Sequence, residues 1–241
     1  MQYKNELYQE LLQYKLTGRK ALAILLDPDK IVWEHLAYLI EQINQSPATH
    51  IFVGGSIVES KILDQLIIRL KEEINLPILL FPGDTSQISS QADGILFLSL
   101  ISGRNPDYLI EHQVNAVPIL NRMNLEIIPT GYMLIESGTQ TAVERVSQTK
   151  PLARNNIEYA IYTAQAGQML GNKLIYLEAG SGAKHAVPLE MIYQVSKGIQ
   201  IPLIVGGGIA NREAIQNAYE AGADLVVIGT AFEKNIDFFN S

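Results

Sequence analysis

Eight short apolar runs punctuate the chain, at residues 21–26, 50–53, 78–81, 95–98, 127–132, 174–177, 202–205 and 225–228. Runs so brief and so continuously apolar suit strands covered on both faces, the condition of a parallel sheet wrapped in helices. Pro129 weakens the fifth run because proline gives no N–H to a ladder, whereas Pro202 suits the first residue of a strand. Helical spacing fills most intervals: Leu36, Leu39, Ile40 and Ile43 after the first run, then Ile57, Ile62, Leu66, Ile67 and Leu70 after the second. It returns in Leu189, Ile192 and Val195, and again in Ala214, Ile215, Ala218 and Tyr219, and residues 231–239 can supply a last short helix.

Such alternation predicts parallel strands joined by right-handed crossovers. Eight units in 241 residues average about 30 each, the spacing of a closed (β/α)8 barrel and a poorer fit to an open doubly wound sheet. The expectation is an α/β fold, a single TIM barrel domain over residues 1–241. Residues 82–94 are too few for a regular exterior helix with its loops, so the third helix is predicted to be shortened or missing. The long fifth-to-sixth interval holds residues 138–147 and then a predicted helical run over 152–170, with Pro151 at its first turn. There Tyr159, Tyr162, Ala166 and Leu170 form one stripe, read as core packing. Leu7, Leu11 and Leu12 predict an N-terminal helix across the barrel bottom.

Composition narrows the function. Apolar residues make up 47% of the chain, enough for one sizeable core, and there is no cysteine for thiolate catalysis, Cys-ligated zinc or disulfides. Lys plus Arg number 18 against 25 Asp plus Glu, a formal charge of −7 with no dense basic run, which argues against nucleic-acid binding. The first residues carry no apolar signal segment and no run is long enough to cross a bilayer. A cytoplasmic protein is expected, touching membranes at most transiently through a lipid substrate.

In a barrel of this kind chemistry sits above the C-terminal ends of the strands. The seventh run leads into Gly206-Gly207-Gly208 and the eighth into Gly229-Thr230, where close backbone approach and the N–H groups of a following helix suit a phosphate. The sixth run leads into Tyr176-Leu177-Glu178-Ala179-Gly180-Ser181-Gly182, and strand alternation puts Tyr176 and Glu178 on one side. A carboxylate at an apolar strand tip is costly unless hydrogen-bonded or used chemically. Asp27 after the first run and Ser56 after the second offer hard oxygens suited to Mg²⁺, and equally an Asx turn and a helix N-cap. Thr130, Arg104, Lys184 and His185 divide between ligand contacts and loop roles, and the four histidines show no ligand-like pairing.

Taken together, Leu26-Asp27-Pro28-Asp29-Lys30, Phe52-Val53-Gly54-Gly55-Ser56, the Tyr176 to Gly182 segment, Gly206-Gly207-Gly208-Ile209 and Gly229-Thr230 resemble the geranylgeranylglyceryl phosphate synthase family, which includes bacterial heptaprenylglyceryl phosphate synthases. The resemblance covers nearly the whole chain. It implies transfer of a polyprenyl group, geranylgeranyl in the preferred reading and heptaprenyl in the alternative, from its diphosphate to the 3-hydroxyl of sn-glycerol 1-phosphate. It further implies Mg²⁺ at Asp27 and Ser56, glycerol phosphate on residues Tyr176, Leu177, Glu178, Ala179, Gly180, Ser181 and Gly182 with Gly207, Gly208, Gly229 and Thr230, Glu178 beside the reacting hydroxyl, and a homo-oligomer. The tail is expected near Phe81-Pro82-Gly83 and residues 98–104. Competing readings are a phosphosugar or indole-glycerol-phosphate-type isomerase or lyase, and a catalytically silent phosphate-binding assembly protein.

Overall fold

A computed structural model describes residues 5–55 and 60–239, with residues 60 and 61 described by backbone alone. Among them are eight strands: β1 (Ala21–Leu26), β2 (His50–Val53), β3 (Ile78–Leu80), β4 (Gly94–Leu100), β5 (Glu126–Leu134), β6 (Leu174–Glu178), β7 (Leu203–Gly206) and β8 (Leu225–Ile228). Each pairs in parallel with the next and β8 closes on β1, with Ala21 opposite Leu225 and Ile24 opposite Ile228. All eight predicted runs are strands of one closed barrel. Pro129 lies inside β5 opposite Phe97, and its carbonyl accepts from Lys173 N–H at 2.8 Å.

The helices are α1 (Glu6–Thr17), α2 (Leu36–Gln45), α3 (Ser60–Glu73), α4 (His112–Leu120), α5 (Ala142–Ser147), α6 (Ile157–Met169), α7 (Leu189–Gly198), α8 (Arg212–Glu220) and α9 (Thr230–Lys234). No helix joins β3 to β4, as the short interval required. The predicted helix over 152–170 starts late. Leu152 forms a parallel bridge with Ile135, and the Asn156 side chain caps α6 by accepting from Tyr159 N–H. The stripe on that helix also faces the other way. Tyr159, Tyr162 and Leu170 are 43%, 57% and 83% exposed, while Ala160, Thr163, Ala164 and Gly167 are buried. Small residues let the α6 backbone lie close to its neighbours and leave the large side chains outside.

Alternation along each strand sorts the core into two layers. Phe52, Leu79, Leu96, Ile128, Tyr176, Ile204 and Val227 belong to the cluster filling the barrel, while Ile51, Leu80, Ile95, Ile175, Val205 and Val226 pack with the helices. At the N-terminal end, α1 lies across the barrel as predicted, with Leu11 and Tyr14 in the inner cluster. Buried Glu126, the first residue of β5, accepts from Leu7 N–H at 2.9 Å and Tyr8 N–H at 2.8 Å. Lys15 of α1 pairs with Asp224 at 3.2 Å, ahead of β8.

Candidate active site at the barrel mouth

Because every strand is parallel, all eight C-terminal tips share one rim. At its centre stands Glu178, the last residue of β6, paired in register with Gly206 of β7. Its carboxylate is buried and accepts from Gly180 N–H at 2.6 Å. Burial pushes the carboxyl above the ordinary glutamate value, while the Tyr176 hydroxyl and the Gly180 N–H pull it back. Tyr176 is fully buried, and its hydroxyl lacks a well-directed hydrogen bond. A Cβ at Gly206 would stand 2.4 Å from Tyr176 Oη and 2.9 Å from Glu178 Oε2, so both polar atoms converge on that glycine. Tyr132 of β5 and Phe81 after β3 complete an aromatic floor. The Tyr132 and Phe81 ring centroids lie 5.5 and 5.4 Å from that of Tyr176. Burial and then the Glu178 carboxylate raise the Tyr132 hydroxyl well above its ordinary value, keeping it a neutral donor.

Gly207 takes a left-handed φ of 78°, and a Cβ there would lie 2.3 Å from Glu178 Oε1 and 2.5 Å from Gly180 N. No side chain fits, so the β7 loop is pressed directly onto the carboxylate. Over this loop the Ser181 and Thr230 hydroxyls meet at 3.2 Å, joining the β6 and β8 tips. Glycine backbone and two hydroxyls on one rim form a cradle that an anionic oxygen can enter. The helix after β7 contributes less than its sequence suggested: Asn211 caps α8 itself, accepting from Ala214 N–H at 2.8 Å.

The β1 tip supplies Asp27. Its carboxylate accepts from Asp29 N–H at 3.3 Å, so the Asx turn is formed, and its Oδ2 pairs with Lys30 Nζ at 3.1 Å. Lys30 also pairs with Glu233 of α9 at 3.1 Å. Partial burial lowers the Lys30 ammonium, but its contacts with Asp27 and Glu233 outweigh this and hold it above the ordinary lysine value. Gly55 after β2 abuts the same carboxylate, with a virtual Cβ 2.3 Å from Asp27 Oδ1. Among the described residues no three His, Cys, Asp or Glu side chains gather around one point as a metal cage. One partly open carboxylate, 17% exposed and backed by a glycine, nevertheless fits Mg²⁺, which keeps water and takes further oxygens from substrate phosphates. Ser56, the second expected ligand, lies outside the described residues.

The remaining assignments divide. Leu177 and Ala179 turn outward into the helix-facing layer, so only their backbone borders the mouth. Gly182 and Ser181 are exposed on the rim. Thr130 is in mid-strand, because β5 runs on to Leu134, and its hydroxyl donates to Ile128 O at 2.9 Å. Arg104 donates to Ile101 O, Gly103 O and the Tyr159 hydroxyl, holding its own loop. His185 and Lys184 are exposed, and the His185 backbone pairs with Ser137. Sequence reasoning did not single out Tyr132 for the site, although β5 alternation places it on the inward face with Thr130.

The PcrB family model matches residues 14–240. The geranylgeranylglyceryl phosphate synthase of Flavobacterium johnsoniae is 66% identical over 235 residues, covering 98% of this chain and 97% of that relative. The crystal structure of (S)-3-O-geranylgeranylglyceryl phosphate synthase from Thermoplasma acidophilum, in complex with substrate sn-glycerol-1-phosphate, superposes with a TM-score of 0.90 at 33% identity, covering 100% of this chain and 95% of that one. A mutant tryptophan synthase α-subunit from Pyrococcus furiosus aligns over 90% of this chain and 89% of its own at a TM-score of 0.59 and 13% identity, a likeness of fold alone. With its model spanning nearly every residue and a relative this similar end to end, the chain belongs to the PcrB family.

Proposed function

We propose that this protein transfers a geranylgeranyl group from geranylgeranyl diphosphate to the 3-hydroxyl of sn-glycerol 1-phosphate, releasing diphosphate and forming an ether phospholipid precursor. The observation that carries the reading is the buried Glu178 carboxylate, held between the β7 glycine loop and Tyr176, in a chain similar throughout to a synthase bound to sn-glycerol-1-phosphate. Geranylgeranyl is preferred over heptaprenyl because a relative of 66% identity bears that donor in its name.

The acceptor half comprises Tyr176, Leu177, Glu178, Ala179, Gly180, Ser181 and Gly182 with Gly207, Gly208, Gly229 and Thr230. The phosphate rests on the glycine backbone and the Ser181 and Thr230 hydroxyls, which leaves the glycerol hydroxyls directed at Glu178. Glu178 Oε2 orients the 3-hydroxyl and takes its proton as the oxygen attacks C1 of the prenyl chain. The new C–O ether bond forms as the allylic C–O bond breaks, and the electron pair leaves with diphosphate. A carboxylate raised by burial is a stronger base for this step, and the glycine-packed loop fixes it before substrate arrives.

Asp27 and Ser56 would hold Mg²⁺, which when bound offsets the charge growing on the departing diphosphate. The aromatic floor of Phe81, Tyr132 and Tyr176 excludes water from the reacting carbon. Residues 1–241 act as one prenyltransferase domain in this reading, cytoplasmic and meeting membranes transiently through its lipid substrate. No helix among the described residues is long and apolar enough to cross a membrane. A homo-oligomer is part of the proposal, supported by the exposed apolar faces of α4 and α6.

The test supplies sn-glycerol 1-phosphate, Mg²⁺ and a graded series of polyprenyl diphosphates and weighs the ether product by mass spectrometry. A geranylgeranyl ether is expected, and absence of any ether product would refute the assignment. Glu178→Gln is expected to lower the single-turnover rate by about 10²–10⁴-fold with acceptor binding retained. An unchanged chemical rate would remove Glu178 from the mechanism.

A further inference from the structure

The connection from β3 to β4 lacks a helix, yet it has a defined interior. Gln87, 1% exposed, sits at its centre. Its Oε1 accepts from Gly83 N–H at 2.9 Å and from Gly55 N–H at 3.4 Å, while its Nε2 donates to Gly55 O at 2.9 Å. Gly83 follows β3 and Gly55 follows β2, so one side chain ties two adjacent strand tips together. The primary amide answers both the N–H and the C=O of one backbone residue, which a carboxylate, unable to donate, and an apolar side chain cannot do. The segment is braced on both sides of the amide. Asp84 Oδ1 accepts from Ser86 N–H at 2.7 Å, and the buried Ser89 hydroxyl donates to Asp64 of α3.

Gly55 is also the residue pressed against Asp27, with its virtual Cβ 2.3 Å from Oδ1. A chain of direct contacts therefore runs from the Gln87 amide to Gly55 and on to the Asp27 carboxylate. The acceptor half, built on the β6, β7 and β8 tips, shares no hydrogen bond with Gln87 among the described residues.

We infer that Gln87 is a positioning residue for the donor half of the site: where no helix joins β3 to β4, its amide clamps the β2 tip to the β3 tip and sets Gly55 against Asp27, where the prenyl diphosphate binds. The inference rests on the transfer reading above and adds to it a residue that touches neither substrate. Fixing such a loop acts on affinity for the donor and leaves the glycerol phosphate cradle alone.

The test compares the wild type with Gln87→Met, which fills the same space without hydrogen bonds, and Gln87→Glu, which keeps both acceptor bonds and loses the donor. Calorimetry measures binding of sn-glycerol 1-phosphate and, separately with Mg²⁺, of an unreactive thiolodiphosphate analogue of geranylgeranyl diphosphate. Steady-state KM for each substrate and the melting temperature accompany it. Gln87→Met is expected to weaken analogue binding and raise donor KM about tenfold or more, with acceptor affinity within about twofold of wild type. Gln87→Glu is expected to fall between, and it carries the same comparison should Gln87→Met fail to fold. Equal weakening of both substrates, or unchanged donor affinity in a folded variant, overturns the inference. Wild-type protein that binds neither substrate overturns the transfer reading first and this one with it.

Discussion

Two buried titratable residues illustrate opposite uses of burial. Glu178 sits at the mouth with its carboxyl raised, so its charged form is disfavoured in the fold. Stability from such a group is complete below the unfolded glutamate pKa and is lost as pH rises through the higher folded value. Glu178→Gln, unable to ionise yet able to keep the Gly180 bond, should therefore melt higher than wild type at pH 8, by an amount on the order of 1 kcal/mol. The gain should vanish near pH 4, which thermal melts across that range will check. His50 is the first residue of β2, fully buried, with Nδ1 2.8 Å from the Thr49 hydroxyl and Nε2 without a partner. Burial lowers its pKa from 6.5 to about 4. The unfolded chain takes up a proton first as pH falls below 6.5, so stability drops through the window down to about 4, by roughly 3 kcal/mol in the limit. Urea midpoints should fall between pH 7 and pH 5 in the wild type and much less in His50→Leu. Equal slopes would show that the proton goes elsewhere.

Among elements, α1 is fastened at the end remote from the chemistry. Asn5 makes no side-chain cap, and Glu126 supplies the acceptors for the N–H groups of Leu7 and Tyr8 instead. Glu126→Ala leaves two donors unpaired and should cost about 1–3 kcal/mol in chemical denaturation. Turnover per folded molecule should be unchanged, because the mouth lies at the opposite end of the barrel. Loss of kcat without loss of stability would contradict this division. The strands were readable from sequence because burial on both faces demands uninterrupted apolar runs, and even Pro129 did not break β5, whose carbonyl is used by Lys173. The α6 stripe was misread because periodicity reports a face and not which side that face meets. The small residues Ala160, Ala164 and Gly167, with Thr163, held the core instead of the tyrosines. In the same way the Glu178 tip and the Gly207 loop stood out by residue type, whereas the Gln87 clamp depends on which loops meet in space, and no spacing along the chain encodes that.

For the whole molecule, the closed barrel satisfies its own sheet edges, so association has to use side chains on the exterior helices. The outer face of α4 and the turn before it offers Ile110, Val114 and Val117 at helical spacing, all exposed, while Gln113, Ala116 and Leu120 face inward. Three aliphatic side chains on one exterior face form a patch suited to burial against another chain, and a stable interface needs roughly 1,200–2,000 Å² in total. None of these residues belongs to the strand tips that build the site. Val114→Asp with Val117→Asp places two carboxylates on the patch, where desolvating them on association is costly. Sedimentation equilibrium should give the wild type a mass that is a multiple of 26.7 kDa and the double variant a lower one, with melting temperature and turnover per chain maintained. Wild-type sedimentation at the single-chain mass would leave the α4 face solvated in solution. Dissociation accompanied by loss of turnover would mean instead that the barrel mouth depends on a neighbouring subunit.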